Sequence, residues 1–264
     1  MSRVLRSELF KFRTTTGPWV ILIVTLVLTA LGIITAFVLT IGGHGEFTAP
    51  IFTPQYRELV GAGYGAGTVL APIVGILCIT TEYRQKVLTT TLLVTPRREV
   101  VLTAKAVASA IWGLLLAVAG LVLVAALGIP LLVTQGGSLS TLLRQVGPVV
   151  PGLLGAYILM AIFGLGIGTL LRNQVAAVVL TIVFVVILEP IIVALVHSLA
   201  HVDLNWLPSR SAAALAGGLT RSTGGGHTAA GPDLSWWLGG LALFGWGVGT
   251  AVIGYFTTFR RDVT

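Results

Sequence analysis

The run from Ala106 to Val133 contains no charged side chain, and an apolar run of that length leaves the chain few options. Coiled as an α-helix at ~1.5 Å per residue it is about 40 Å long, more than the ~30 Å hydrocarbon core of a bilayer. Five more long apolar runs occur, about Pro18 to Ile41, Gly61 to Thr81, Val146 to Leu171, Val175 to Val196 and Trp236 to Phe259, of which only Val175 to Val196 holds a charged residue, Glu189. None shows the strict alternation of a membrane barrel. Backbone groups in lipid must then pair within their own segment, which means helices. The whole chain agrees: 55% of its residues are apolar and only 9% charged, where a soluble domain carries roughly 25% charged residues. The fold class predicted is all-α, a polytopic membrane helical bundle with six transmembrane helices. Residues 1–264 are expected to form one transmembrane domain.

Charge placement orients the bundle. With the amino terminus inside, 12 of the 16 Lys and Arg residues fall on the cytoplasmic side and four, Arg57, Arg144, Arg210 and Arg221, outside. Both termini are therefore expected in the cytoplasm. The net charge of +7 is explained by these span ends, next to anionic headgroups, and not by a nucleic-acid partner. The basic start leads into an apolar run too long for a signal-peptide core, so it reads as the first span. Cys78 is the one cysteine, which rules out an intrachain disulfide.

Outside the spans, three segments carry the remaining information. Arg3 to Arg13 mixes charge with Leu5, Leu9 and Phe12 at helical spacing, predicting an amphipathic helix at the membrane surface, with Gly17-Pro18 turning the chain inward. Residues 82–105 form a charged cytoplasmic connector. There Glu82 and Lys86 stand four apart in the favourable order, and Thr95-Pro96 supplies a cap and a first helical residue. Two short helices there would form a charged knuckle able to dock a soluble partner; the alternative is that these charges only maintain topology. Residues 197–235 form the longest outer connection, with Gly224-Gly225-Gly226 and an apolar patch from Ala212 to Leu215 suited to a short interfacial or re-entrant helix.

Glu189 is the acid placed well inside a span, followed by Pro190. A carboxylate there lines a pathway or gate, or pairs with a backbone donor freed by the kink. His197 and His201 share a helical face with Asp203 beyond, but Ser198 stands where a metalloprotease motif needs Glu, so no metal site is expected. Gly61, Gly63 and Ala66 match a dinucleotide fingerprint only formally, without a preceding strand. Gly61 to Gly67 in alternation, and Gly164 with Gly168, suit close helix packing, within the chain or at a dimer seam.

The surface helix, the six spans, the connector EYRQKVLTTTLLVTPRREVVLTAK and the closing FRRDV together resemble the small permease subunits of ABC-2 type transporters, particularly actinobacterial ones, with a type V exporter-like architecture. The resemblance implies an elbow helix over residues 1–17 with Arg6, Leu9 and Phe12. It implies ATPase coupling through Glu82, Tyr83, Arg84, Lys86, Arg97 and Arg98. Lys86-Val87 depart from the Gly-Thr frequent in the family at that point. Glu189, Tyr64 and Thr68 are the candidates for the substrate pathway.

The implied partners are two copies of an ABC ATPase, a second permease chain forming a homodimer, and membrane lipid, in a bacterial plasma membrane. No cofactor is expected on this chain, and ATP and Mg would sit on the ATPase. No Gly-Lys dipeptide occurs in the sequence, so a phosphate-cradling Gly-Lys-Ser/Thr loop is absent and energy must come from elsewhere. The chain is thus expected not to be an enzyme. It is expected to export a lipophilic or amphipathic substrate, since the spans offer few charges for a hydrophilic one. The competing functions are a gradient-driven carrier or channel and an intramembrane hydrolase using His197, His201 and Asp203.

Overall fold

A computed structural model describes residues 2–41, 54–85, 98–134, 147–171, 173–217 and 234–259. Among them every regular element is helical and no strand occurs. The amphipathic start forms α1 (Ser2–Thr14), and after the single non-helical Thr15 the chain enters α2 (Thr16–Ile41). The turn therefore falls two residues before Gly17. Proline is tolerated in a first helical turn, where its missing N–H costs no hydrogen bond, so Pro18 opens α2 instead of preceding it.

Next come α3 (Pro54–Gln85) and α4 (Arg98–Thr134), and a 3-10 turn over Gly147–Val149 leads into α5 (Val150–Leu170). Asn173 caps α6 (Gln174–Val183), its side-chain oxygen accepting from the amides of Val175 at 3.0 Å and Ala176 at 3.2 Å. A π turn over Phe184–Leu188 joins α6 to α7 (Glu189–Ala200). The short α8 (Pro208–Leu215) lies over the apolar patch of the outer connection, and α9 (Trp236–Gly254) closes with a second π turn, Tyr255–Phe259. Gly224-Gly225-Gly226 lies outside the described residues.

Among the described residues five segments are long and apolar enough to cross a membrane: Thr16–Thr35, Glu99–Leu127, Gly147–Leu170, Gln174–Ala200 and Trp236–Thr257. The expected second span lies in α3, where the side chains of residues 54–64 and 66 are outside the description. At ~1.5 Å per residue α3 is about 48 Å long, enough to cross a bilayer. It packs on α2, α4, α5 and α6, with Ala71, Val74, Ile76 and Ile79 wholly buried. A helix walled in by protein needs no lipid-facing stripe.

The core sits on α5. In its span 61% of residues are buried, against 22–28% in the other four, because α5 is packed by α3, α4, α8 and α9. Small residues set the spacing. A Cβ on Gly75 would collide with the Ala161 carbonyl, and one on Gly164 with the Pro72 carbonyl, so α3 and α5 meet backbone to backbone. Within this chain, then, Gly164 serves an intrachain seam.

Candidate functional site

At one end of the bundle, α1 lies against α4. Phe12 is buried and stacks at 5.6 Å on Trp112 of α4, whose ring also receives the edge of Trp19 at 5.6 Å. Leu5 and Leu9 pack against the same core, while Arg6 and Arg13 face away from it. The apolar stripe thus faces protein, and Glu8 lies on that same inward face.

Glu8 is 1% exposed, Glu82 5% and Lys105 0%, values sustainable for ionised groups only with good partners. They have them. Lys11 Nζ lies 2.9 Å from Glu8 Oε1 and 2.6 Å from Glu82 Oε1; Lys105 Nζ lies 2.8 Å from Glu8 Oε2 and 2.9 Å from Glu82 Oε1. The four side chains close a ring of alternating sign with no net charge. Lys105 also donates to the Cys78 carbonyl at 3.3 Å, so its three N–H groups find three acceptors.

Burial alone would raise the Glu82 carboxyl, but Lys105 and then Lys11 outweigh it and hold the group below its ordinary value. Burial would likewise lower the Lys11 ammonium, and Glu82 and Glu8 reverse that, raising it. Both effects favour the ionised ring.

Of the expected coupling residues, Glu82 is turned into this ring, Tyr83 is half-buried against the core and Arg84 is exposed. Lys86 and Arg97 lie outside the described residues. Arg98 opens α4, its side chain outside the description. The ring joins Glu82 and Lys105, the first and last residues of the connector, to α1. Sequence reasoning missed Glu8. Its signal was a lone acid on the apolar stripe of a basic helix, between Leu5 and Phe12.

The opposite end holds another buried acid. Glu189 is 1% exposed and sits on the amino terminus of α8. It accepts from the backbone N–H of Ser209 at 3.0 and 3.2 Å, from the Ser209 hydroxyl at 2.6 Å and from the N–H of Arg210 at 3.2 Å. Leu207 provides no side-chain cap for α8, so Glu189 satisfies free amides from twenty residues away. The partners are donors of α8, not donors freed by Pro190. The π turn over Phe184–Leu188 absorbs the proline by shifting the ladder one residue.

Among the other pathway candidates, Thr68 is buried and donates to the Gly65 carbonyl at 2.6 Å; Tyr64 lies in α3 with its side chain outside the description. Neighbouring Gly67 faces Thr25 of α2 and Tyr157 of α5. His197 Nδ1 lies 3.0 Å from Asp203 Oδ1, and the His197 and His201 rings meet edge to face at 6.4 Å. Among the described residues no group of three or more His, Cys, Asp or Glu side chains is arranged to hold a metal ion.

Long apolar helices around a buried α5, with balanced charges at one end, define a multi-pass membrane protein. A family model described as ABC-2 family transporter protein matches residues 4–188, and the chain belongs to that family. It is accordingly the permease component of an ABC transporter, working with an ABC ATPase subunit. A comparison with curated proteins finds no match. The matched segment contains the whole ionic ring and ends one residue before Glu189.

Proposed function

We propose that this chain is the six-span membrane subunit of an ATP-driven exporter for a lipophilic or amphipathic substrate. Two copies pair as a homodimer, and two ATPase subunits grip the connectors on the cytoplasmic side of a bacterial plasma membrane. α3 is the sixth crossing, shielded from lipid by its neighbours, and α1 is the elbow helix. ATP and Mg reside on the ATPase, and Arg84, Lys86, Arg97 and Arg98 meet it. Tyr64, Thr68 and Glu189 border the substrate route.

The observation that carries this reading is the 2.9 Å contact of Glu82 with Lys105, which clasps the two ends of the connector into a closed base. A segment that merely retained topology would gain nothing from a charge-balanced, buried clasp. The gradient-driven alternative relies on Glu189, and that carboxylate already engages the amides of α8.

Copurification with the ATPase, followed by transport assays in vesicles, tests the reading. ATP-dependent efflux of a lipophilic dye, abolished when the ATPase is inactivated, is expected. Transport by the permease alone under an ion gradient would replace the reading with a secondary carrier.

A further inference from the structure

The ionic ring is more than a local pairing, because its four members come from three helices. Glu8 and Lys11 belong to α1, Glu82 to α3 and Lys105 to α4. Each helix is held by two of the ring's four cross-helix or intrahelical neighbours in alternation, so withdrawing α1 breaks both Glu8–Lys105 and Lys11–Glu82. Withdrawing α3 breaks Lys11–Glu82 and Lys105–Glu82, and withdrawing α4 breaks both contacts of Lys105. Withdrawing α3 or α4 strands Glu82 or Lys105 without a partner, and withdrawing α1 splits the ring into the two pairs Glu8–Lys11 and Glu82–Lys105 at the loss of two buried ionic contacts. The three helices therefore favour moving together. α1 is joined to α2 by Thr15 alone, so its displacement is passed directly to the first span.

We infer that Glu8, Lys11, Glu82 and Lys105 are positioning residues that weld α1 to both ends of the connector, forming one rigid lever that delivers ATPase movement to α2. The inference rests on the coupling role proposed above for the connector. In this lever the ring stays closed throughout the ATP cycle, and it transmits force by refusing to open.

The chain carries its own reporter. Cys78, its single cysteine, is buried beside the ring with its Sγ 3.7 Å from the Lys105 carbonyl. The test uses the full permease–ATPase complex in lipid nanodiscs, reading alkylation of Cys78 by a small maleimide, ATP hydrolysis, and transport per ATP. In the wild type, Cys78 alkylation is expected to be equally slow in the nucleotide-free and vanadate-trapped complexes. A rise of about tenfold on trapping would mean that the ring opens each cycle, and would overturn the lever.

Glu8→Gln, and the doubly neutral Glu8→Gln with Lys105→Met, are expected to keep the bound ATPase hydrolysing while transport per ATP falls about fivefold or more. The double variant leaves Glu82 to pair with Lys11 and guards against misfolding of the single one. Lys105→Arg, which retains the charge, is expected to recover most of the coupling. Unchanged transport per ATP in the double variant would reduce the ring to packing and overturn the inference. If the wild-type chain binds no ATPase, the proposed function fails instead. The ring is then judged on the isolated chain, where Glu8→Gln must speed Cys78 alkylation about tenfold and an unchanged rate sinks it.

Discussion

The two ends of this bundle each bury carboxylates, and they neutralise them by different means. At one end Glu8 and Glu82 face two ammonium groups, so full charges cancel within a ring spanning α1, α3 and α4. At the other Glu189 is hydrogen-bonded by the backbone N–H groups of Ser209 and Arg210 and by the Ser209 hydroxyl. The first arrangement fixes helices against one another, since the departure of any one of them breaks two buried ionic contacts. The second fastens one short helix to one span through partial charges, a weaker tie that is local in effect.

The contrast is broken most severely at Lys105. Lys105→Ala leaves Glu8 and Glu82 with the half-exposed Lys11 alone and is expected to destabilise the protein by about 3–5 kcal/mol. Thermal unfolding in detergent, or loss of the folded fraction on size exclusion, measures it. Charge reversal at Glu82 is for the same reason a folding lesion, and exposed Arg84 is the cleaner place to probe docking.

Glu189→Ala should cost less, about 2 kcal/mol, because only hydrogen bonds to neutral donors are lost and a helix end is uncapped. Its expected signature is faster proteolysis around residues 201–217 with α1 still docked. Equal losses at both ends would erase the distinction drawn here.

The smallest effect sharpens the ionic ring by pH. Glu82, lying beyond the 61–81 crossing, has its folded value depressed, so its contribution is present above about pH 4.3 and lost as pH falls through the folded value. Lys11 is raised, so its contribution is present below about pH 10.4 and lost as pH rises through its folded value. The difference in melting temperature between the wild type and Glu82→Gln is therefore expected to be flat between about pH 5 and 10 and to shrink on either side. A slope in that difference inside the window would refute the ionised ring.

Much of this architecture was legible in the sequence. Long apolar runs located five crossing segments, the Leu5, Leu9 and Phe12 stripe located α1, and the patch from Ala212 to Leu215 located the second half of α8. The ring was hidden. Glu8 meets Lys105 across 97 positions and Lys11 meets Glu82 across 71, and such pairing depends on the azimuth at which helices dock. Glu82 was singled out from its spacing to Lys86, a local rule, while its partners here are remote. Glu189 was visible as a costly acid, but its acceptor role required knowing where α8 starts.

The π turn at Phe184–Leu188 has one more consequence. By admitting a surplus residue it offsets everything downstream by about 100° around the axis, one residue's worth of helical rotation. That offset is what aims Glu189 at α8. Shortening the turn by one residue would restore a regular coil and swing the carboxylate away from its amides, turning a fastening into an unsatisfied charge in the greasy surroundings.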